Sequence, residues 1–408
     1  MRIPGVWRNR DFTILWSGRA VSELGSSISF VALPLLALTV GSARDAGFVL
    51  ATSTIASSGV ALFAGAVTDR INRRLGLLIS TLIRAIAYAS LVVAGLAGLL
   101  TLAQLYAVAA VAGLTSPFFT TAETAALRTV VRADQLPTAY SQNQVRSTVA
   151  ELIGMPIGGV LYGIARSLPF GVNAVSFLVE LLAIGAIRAP LPAPGRRKSR
   201  SIRRDIGSGL AFIWRHPFLR PAIIAIGIIN FVSMWPVLLL TLHDHHVSPT
   251  MIGITSSILT VSTLVGALIA PGVTHRVPAG MVIIVCTWIL VAAIAIMAIA
   301  SSVFVIIGAL LVGLAAVPAV AILLSSYETA VTPDAMVGRV SAASGFISTI
   351  AIPGGQAVGS AVYVAAGSHV AFGLYTLAAI IGAIVLTASA AVRKLRTITA
   401  DEDQLTGA

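Results

Sequence analysis

The sequence predicts an all-α membrane protein: twelve transmembrane helices in two pseudo-symmetric six-helix halves. Three observations predict it. Apolar runs of about 20 residues, each long enough to cross a hydrocarbon core of about 30 Å, recur from one end of the chain to the other. Lys and Arg segregate into alternate loops. Residues of the first half echo in the second at an offset near 200.

Composition selects the solvent. Of 408 residues, 57% are hydrophobic and 10% are charged, against about 25% charged in a soluble domain. The mean hydropathy is +0.95. A surface this poor in charge faces lipid. There the backbone must satisfy its own hydrogen bonds, which leaves helices or a closed barrel. Barrel strands alternate apolar and polar residues, whereas these runs are continuously apolar, so they are helices. The single cysteine, Cys286, excludes a disulfide framework or a Cys-based metal site. The first ten residues carry Arg2, Arg8 and Arg10 and lack a short apolar core, so no cleavable signal peptide is expected.

In order, the spans are expected at 12–38, 47–68, 75–99, 102–121, 138–163, 169–188, 218–242, 249–272, 279–299, 302–325, 336–365 and 369–391. The first, fifth and eleventh are long for one crossing, which implies tilt or extension past the bilayer. Of the 27 Lys and Arg, Arg19, Arg84 and Arg146 fall within spans, and Arg44 and Arg166 follow odd-numbered spans. The other 22 lie at the termini or in and beside the loops after even-numbered spans. Basic residues mark the cytoplasmic side. The chain is therefore expected in the inner membrane with both termini cytoplasmic.

Residues 189–217 form the long polar stretch before the tail, with Pro190, Pro192, Pro194 and then Arg196, Arg197, Lys198, Arg200, Arg203 and Arg204. This reads as a basic cytoplasmic linker beside anionic lipid. It divides the chain into an N-terminal half (1–188), the linker, a C-terminal half (218–392) and a tail (393–408). Gly154, Gly158 and Tyr162 recur 201 residues later as Gly355, Gly359 and Tyr363. Parallel six-span repeats with a site at their interface are one transporter layout.

Particular motifs sharpen this. Gly65-Ala-Val-Thr-Asp69-Arg70-Ile-Asn-Arg73-Arg74 follows the second span. Gly154-Met-Pro156-Ile-Gly158-Gly159 lies in the fifth, and Pro333-Asp-Ala-Met-Val-Gly338-Arg339-Val340 precedes the eleventh. With Asn173-Ala-Val-Ser-Phe177 and Gly209-Leu-Ala-Phe-Ile-Trp-Arg-His216-Pro217, these make the chain resemble the major facilitator superfamily over nearly its whole length. Within it, the chain looks most like the exporters of siderophores and macrolides. The resemblance implies a cytoplasmic gate in which Asp69 meets the start of span eleven at Gly338 and Arg339, while Arg70, Arg73 and Arg74 bridge the halves. Asn72 stands where the family has glycine and is expected to accept a left-handed turn. The span-five motif resembles an antiporter signature with its proline one place late. Small residues at every fourth position let helices approach, and proline permits a bend.

Ionisable groups inside a membrane face a cavity or a partner. Arg19 and Glu23 lie four residues apart, about 400° of helix rotation, so they share a face and pair. Arg146 and Glu151 point about 140° apart and do not pair with each other. A cross-helix network of these four is expected, with Glu23 or Glu151 carrying a coupling proton. Glu123 reads as a helix-end charge near Arg128, Glu180 as a peripheral packing residue, and Arg84 as a side chain snorkelling to the cytoplasm. By analogy with the family, Phe30, Phe118, Phe119, Asn230, Trp235 and Tyr327 are substrate-cavity candidates, and an apolar cavity suits amphipathic cargo. His243-Asp244-His245-His246 reads as a solvated external loop rather than a metal site.

The expected function is proton-coupled antiport, exporting small amphipathic molecules such as drugs, siderophores or secondary metabolites by alternating access. The alternative is a proton-coupled symporter importing a nutrient. No catalytic constellation and no phosphate-binding loop occur, so an enzyme or an ATP-driven pump is not expected. The expected partners are a small-molecule substrate, protons and the lipid bilayer, for a monomer with no cofactor and no nucleic acid.

Overall fold

The computed structural model describes residues 5–68, 71–190, 202–274, 276–333 and 336–395. Every element among them is helical. The first half contributes α1 (Arg10–Val40), α2 (Ala43–Thr68), α3 (Arg73–Leu96), α4 (Leu102–Val130), α5 (Leu136–Ile164) and α6 (Leu168–Ala186).

Short polar side chains start these helices. The Asn9 side chain accepts the backbone N–H of Asp11 and Phe12 at 3.1 and 3.2 Å, and Asp11 adds negative charge to the first turn of α1. Asp11 also accepts the N–H of Arg188 and Ala189 at 3.2 and 2.7 Å, which ties the end of α6 to the start of α1. Asn72 corrects a sequence expectation. Its φ is −56°, not left-handed, and its side chain accepts the N–H of Arg74 and Leu75 at 2.9 and 3.4 Å. An amide oxygen that caps α3 replaces the conformational freedom of glycine. After α3 the chain does turn through a left-handed residue, Gly98, with φ +68°.

Inside the bilayer there is no hydrophobic force between helices, so close backbone approach decides packing. A Cβ on Gly25 would sit 2.2 Å from Ser176 of α6, and one on Gly158 of α5 would sit 2.4 Å from the Ile28 carbonyl of α1. Both positions therefore require glycine, and α1 lies in contact with α2, α4, α5 and α6. This brings the polar groups of α1, α4, α5 and α6 within reach of one another.

The second half contributes α7 (Ile202–Arg215), α8 (Leu219–Phe231), α9 (Trp235–Asp244), α10 (Pro249–Thr274), α11 (Ala279–Ile299), α12 (Val303–Val331), α13 (Val337–Ile350), α14 (Ile352–Ala388) and a short α15 (Ala390–Arg393). The chain forms two compact units. One holds Met1–Ser199 with His246–Ser257, and the other holds Arg200–His245 with Ile258–Ala408. The start of α10 thus packs in the first unit, where a Cβ on Gly159 of α5 would meet the Pro249 carbonyl.

Three expectations change. Part of the linker is helix: α7 buries Ile213 and sets Gly209 against the backbone of Arg339 in α13. The seventh span is two helices. Residues 232–234 are non-helical ahead of Pro236, which cannot supply an N–H to a continuous helix. The carbonyl of Ser233 freed there accepts Tyr375 Oη at 3.2 Å, and the same hydroxyl lies 2.9 Å from the Gly355 carbonyl. A kink inside α14, at Gly367 with φ +82°, separates the two helices read as spans eleven and twelve. Among the described residues, ten stretches are long and apolar enough to cross a membrane, where the sequence predicts twelve.

Candidate functional site

One helix face of α1 builds the centre of the first unit. Arg19, Ser22 and Glu23 follow the i, i+3, i+4 rule, so they project together. Arg19 Nε lies 3.1 Å from Glu23 Oε1, the pair expected from spacing. From α5, Arg146 donates to Glu23 through two nitrogens, Nε to Oε2 at 2.9 Å and Nη2 to Oε1 at 3.1 Å. The same Nη2 reaches Glu123 Oε1 on α4 at 3.0 Å, and Nη1 donates to Asn143 Oδ1 at 3.2 Å. Arg19 adds charge contacts with Glu123 at 3.5 Å and with Glu180 of α6 at 3.4 Å. Glu180 also accepts Ser22 Oγ at 2.7 Å and Thr81 Oγ1 of α3 at 3.2 Å.

Two of these carboxylates overturn the sequence reading. Glu123 is buried against Arg146 and Arg19 and is not a helix-end charge; Arg128 instead donates to Tyr140 Oη. Glu180 is 1% exposed, held in the centre because the Gly18 and Gly25 contacts press α6 onto α1. Arg84 of α3 does not snorkel. It is 5% exposed, with its guanidinium 4.6 Å from the Phe119 ring centre and 4.9 Å from that of Phe177. Arg19 lies over the same Phe119 ring at 4.3 Å. Stacking on aromatic faces offsets part of the cost of burying a guanidinium. The signal that could have found Glu180 and Arg84 was already in the sequence: each is a lone charge inside an apolar run.

A cavity of about 360 Å³ opens beside this network. Its wall carries Arg19, Glu23, Arg84 and Glu151, four serines (26, 27, 116 and 147), Phe30 and Met155. This is a polar wall, where the sequence led to an apolar one. Glu151 stands apart from the network: among the described residues, it makes no ion pair.

The other candidates distribute as follows. Phe30 lines the cavity, whereas Phe119 is fully buried as the platform for two arginines, and Phe118 is half-buried away from the wall. Asn230, Trp235 and Tyr327 belong to the second unit. There Asn230 donates to the Ser348 carbonyl at 2.7 Å, Trp235 opens α9, and Tyr327 packs on Phe218 with ring centres 4.8 Å apart. Gly154 and Gly158 face α1, Gly159 faces the start of α10, and Pro156 lies within α5 between them. Of the gate motif, Gly65 lies in α2, and Asp69 and Arg70 fall outside the described residues. Arg73 and Arg74 are engaged within the first unit. Arg73 donates to the Ala125 carbonyl at 3.2 Å and to Thr129, and Arg74 donates to the Gly185 carbonyl. Arg74 thereby satisfies an orphan carbonyl in the last turn of α6. Gly338 and Arg339 open α13. Of the histidine run, His243 and Asp244 end α9, and Asp244 accepts Tyr363 Oη at 2.6 Å.

Known proteins share this architecture. The chain is 30% identical over 258 residues to the multidrug efflux pump Tap of Mycolicibacterium fortuitum, an alignment spanning 60% of this chain and 62% of that protein. Among solved structures, the nucleoside transporter NupG matches with a TM-score of 0.75 at 13% identity, covering 93% of this chain and 99% of that one. A bacterial homologue of the iron transporter ferroportin, in its inward-facing state, matches with a TM-score of 0.74 at 15% identity, covering 93% and 98%. The model of the Major Facilitator Superfamily matches residues 15–352. This multi-pass membrane protein, with its charged network buried among apolar helices, therefore belongs to the Major Facilitator Superfamily of transporters.

Proposed function

We propose that this protein is a proton-coupled antiporter of the bacterial inner membrane, working as a monomer that exports small molecules by alternating access. The observation that carries the reading is the isolated carboxylate of Glu151 on the wall of a cavity whose other carboxylate, Glu23, is paired with two arginines. A proton carrier must exist in both charge states as the cavity changes sides. Glu23 is held by two hydrogen bonds from one guanidinium and by a second guanidinium, so protonating it would weaken charge-assisted bonds to both arginines. Glu151 is free of that constraint. Likeness to Tap supports export and a multidrug range.

We infer twelve crossings with both termini cytoplasmic. The 26 residues of α2 form a helix about 39 Å long. The 52-residue stretch Val337–Ala388, broken at Gly367, is about 78 Å long. These lengths support two crossings beyond the ten. The segregation of basic residues supports the orientation.

Reconstituted protein in vesicles with an imposed pH gradient tests the coupling. Glu151→Gln is expected to lower gradient-driven drug efflux at least tenfold while leaving downhill exchange in place. Full retention of gradient-driven efflux would remove Glu151 as the carrier.

A further inference from the structure

Among the described residues, Arg84 has no ion-pair partner. Its Nε donates to the Ser80 carbonyl one turn back at 3.2 Å, and its guanidinium carbon lies 4.6 Å from the Phe119 ring centre and 4.9 Å from that of Phe177. Its Nη2 is buried and has no hydrogen-bond partner. The nearest acidic residue in the charge network, Glu180, does not serve: one oxygen is taken by Ser22 and Arg19, the other by Thr81. Among the described residues, no carboxylate lies within ion-pair distance of Arg84. A guanidinium in a membrane interior is costly, and one with an orphaned N–H is more so. Yet this side chain forms part of the wall of the 360 Å³ cavity, which also carries serine hydroxyls that accept and donate. A planar fork beside two rings, with one nitrogen unpartnered, matches a carboxylate or a phosphate.

We propose that Arg84 is the recognition site for an acidic group on the transported molecule, so that the cargo is a small organic anion and supplies the missing counter-ion. This rests on the transport reading of the same cavity. A volume of about 360 Å³ lies at the small end of ligand pockets, so ring-sized anions are suitable probes.

The test uses purified full-length protein and three ring-sized probes: benzoate, phenyl phosphate and uncharged benzamide. Calorimetric titration is expected to show both anions binding at least tenfold more tightly than benzamide. Arg84→Gln is expected to remove that preference, and Arg84→Lys, which keeps the charge and loses the fork, to restore part of it. Equal affinity of wild-type protein for benzoate and benzamide would overturn the proposal, and that measurement needs no variant to fold. An unchanged anion preference in Arg84→Gln would overturn it as well. Vesicle flux separates the two layers. Arg84-dependent anion binding with no gradient-driven flux of benzoate would leave the anion site standing and defeat the transport reading. Glu151-dependent efflux with charge-indifferent binding would defeat this proposal alone.

Discussion

At the scale of single residues, Arg146 joins Glu23 and Glu123 through one guanidinium at the buried centre of the first unit. Removing its charge leaves both carboxylates to share Arg19, and breaking a buried pair in this way costs about 3–5 kcal/mol. Arg146→Gln is therefore expected to lower the thermal midpoint of the detergent-purified protein sharply. Arg146→Lys should recover only a fraction, because an ammonium cannot meet Glu23 through two nitrogens at once. Adding Glu123→Gln to Arg146→Gln should cost less than the two single losses combined, since the two groups share one contact. A full additive loss in that double variant would contradict the shared bond. Of this network, the Arg19–Glu23 pair was legible from four-residue spacing. The partnerships of Glu123, Glu180 and Arg84 were not, because each depends on which neighbouring helix a side chain meets, and helical periodicity carries no such information.

At the scale of elements, glycine contacts set the distance between α1 and α5. A Cβ on Gly158 would lie 2.4 Å from a backbone oxygen, which no rotamer change can relieve. Gly158→Ala is expected to destabilise by about 1–3 kcal/mol through overpacking. Gly308 of α12 has open space around it. Gly308→Ala should be neutral or stabilising, because alanine favours helix. Comparable melting losses in the two variants would contradict the packing account. The start of α8 offers a pH-dependent element outside the membrane. His216 Nδ1 accepts the N–H of Phe218 and Leu219, both at 3.3 Å, so the cap needs the neutral ring. Burial pushes this imidazole below its ordinary range. The unfolded chain therefore takes up the proton first as pH falls. The cap contributes fully above about pH 6.5, and its contribution falls as pH drops from there toward the lower value in the folded protein. The difference in thermal midpoint between wild type and His216→Ala should be largest at about pH 7.5 and shrink by about pH 5.5. A difference constant over that range would show that the ring acts only through packing. Span positions were legible because continuous apolar runs have one stable form in lipid. The break at residues 232–234 carried a signal in Pro236, and the helical character of residues 202–215 is fixed by docking on α13.

At the scale of the whole molecule, topology and direction of transport are linked to charge. Reporter fusions after residues 200 and 395 are expected to report the cytoplasm, and a fusion at residue 166 the external side. An external signal at residue 200 would invert the expected topology. In cells, drug accumulation should be lower with the protein than without it and should rise when the proton gradient is collapsed; a fall on collapse would mark import instead. The sequence by itself determined the class of the molecule: apolar runs of bilayer length force helices, basic residues bias their orientation, and the motif between spans two and three marks the family. Only the tertiary structure decided the chemistry. It was close helix packing through glycine that brought charges from α1, α4, α5 and α6 into one network and, among the described residues, left Glu151 outside it and Arg84 beside the cavity without an ion-pair partner. Whether a buried charge is a tether, a carrier or a receptor depends on its neighbours across helices, and those are fixed by interhelical distance rather than by position along the chain.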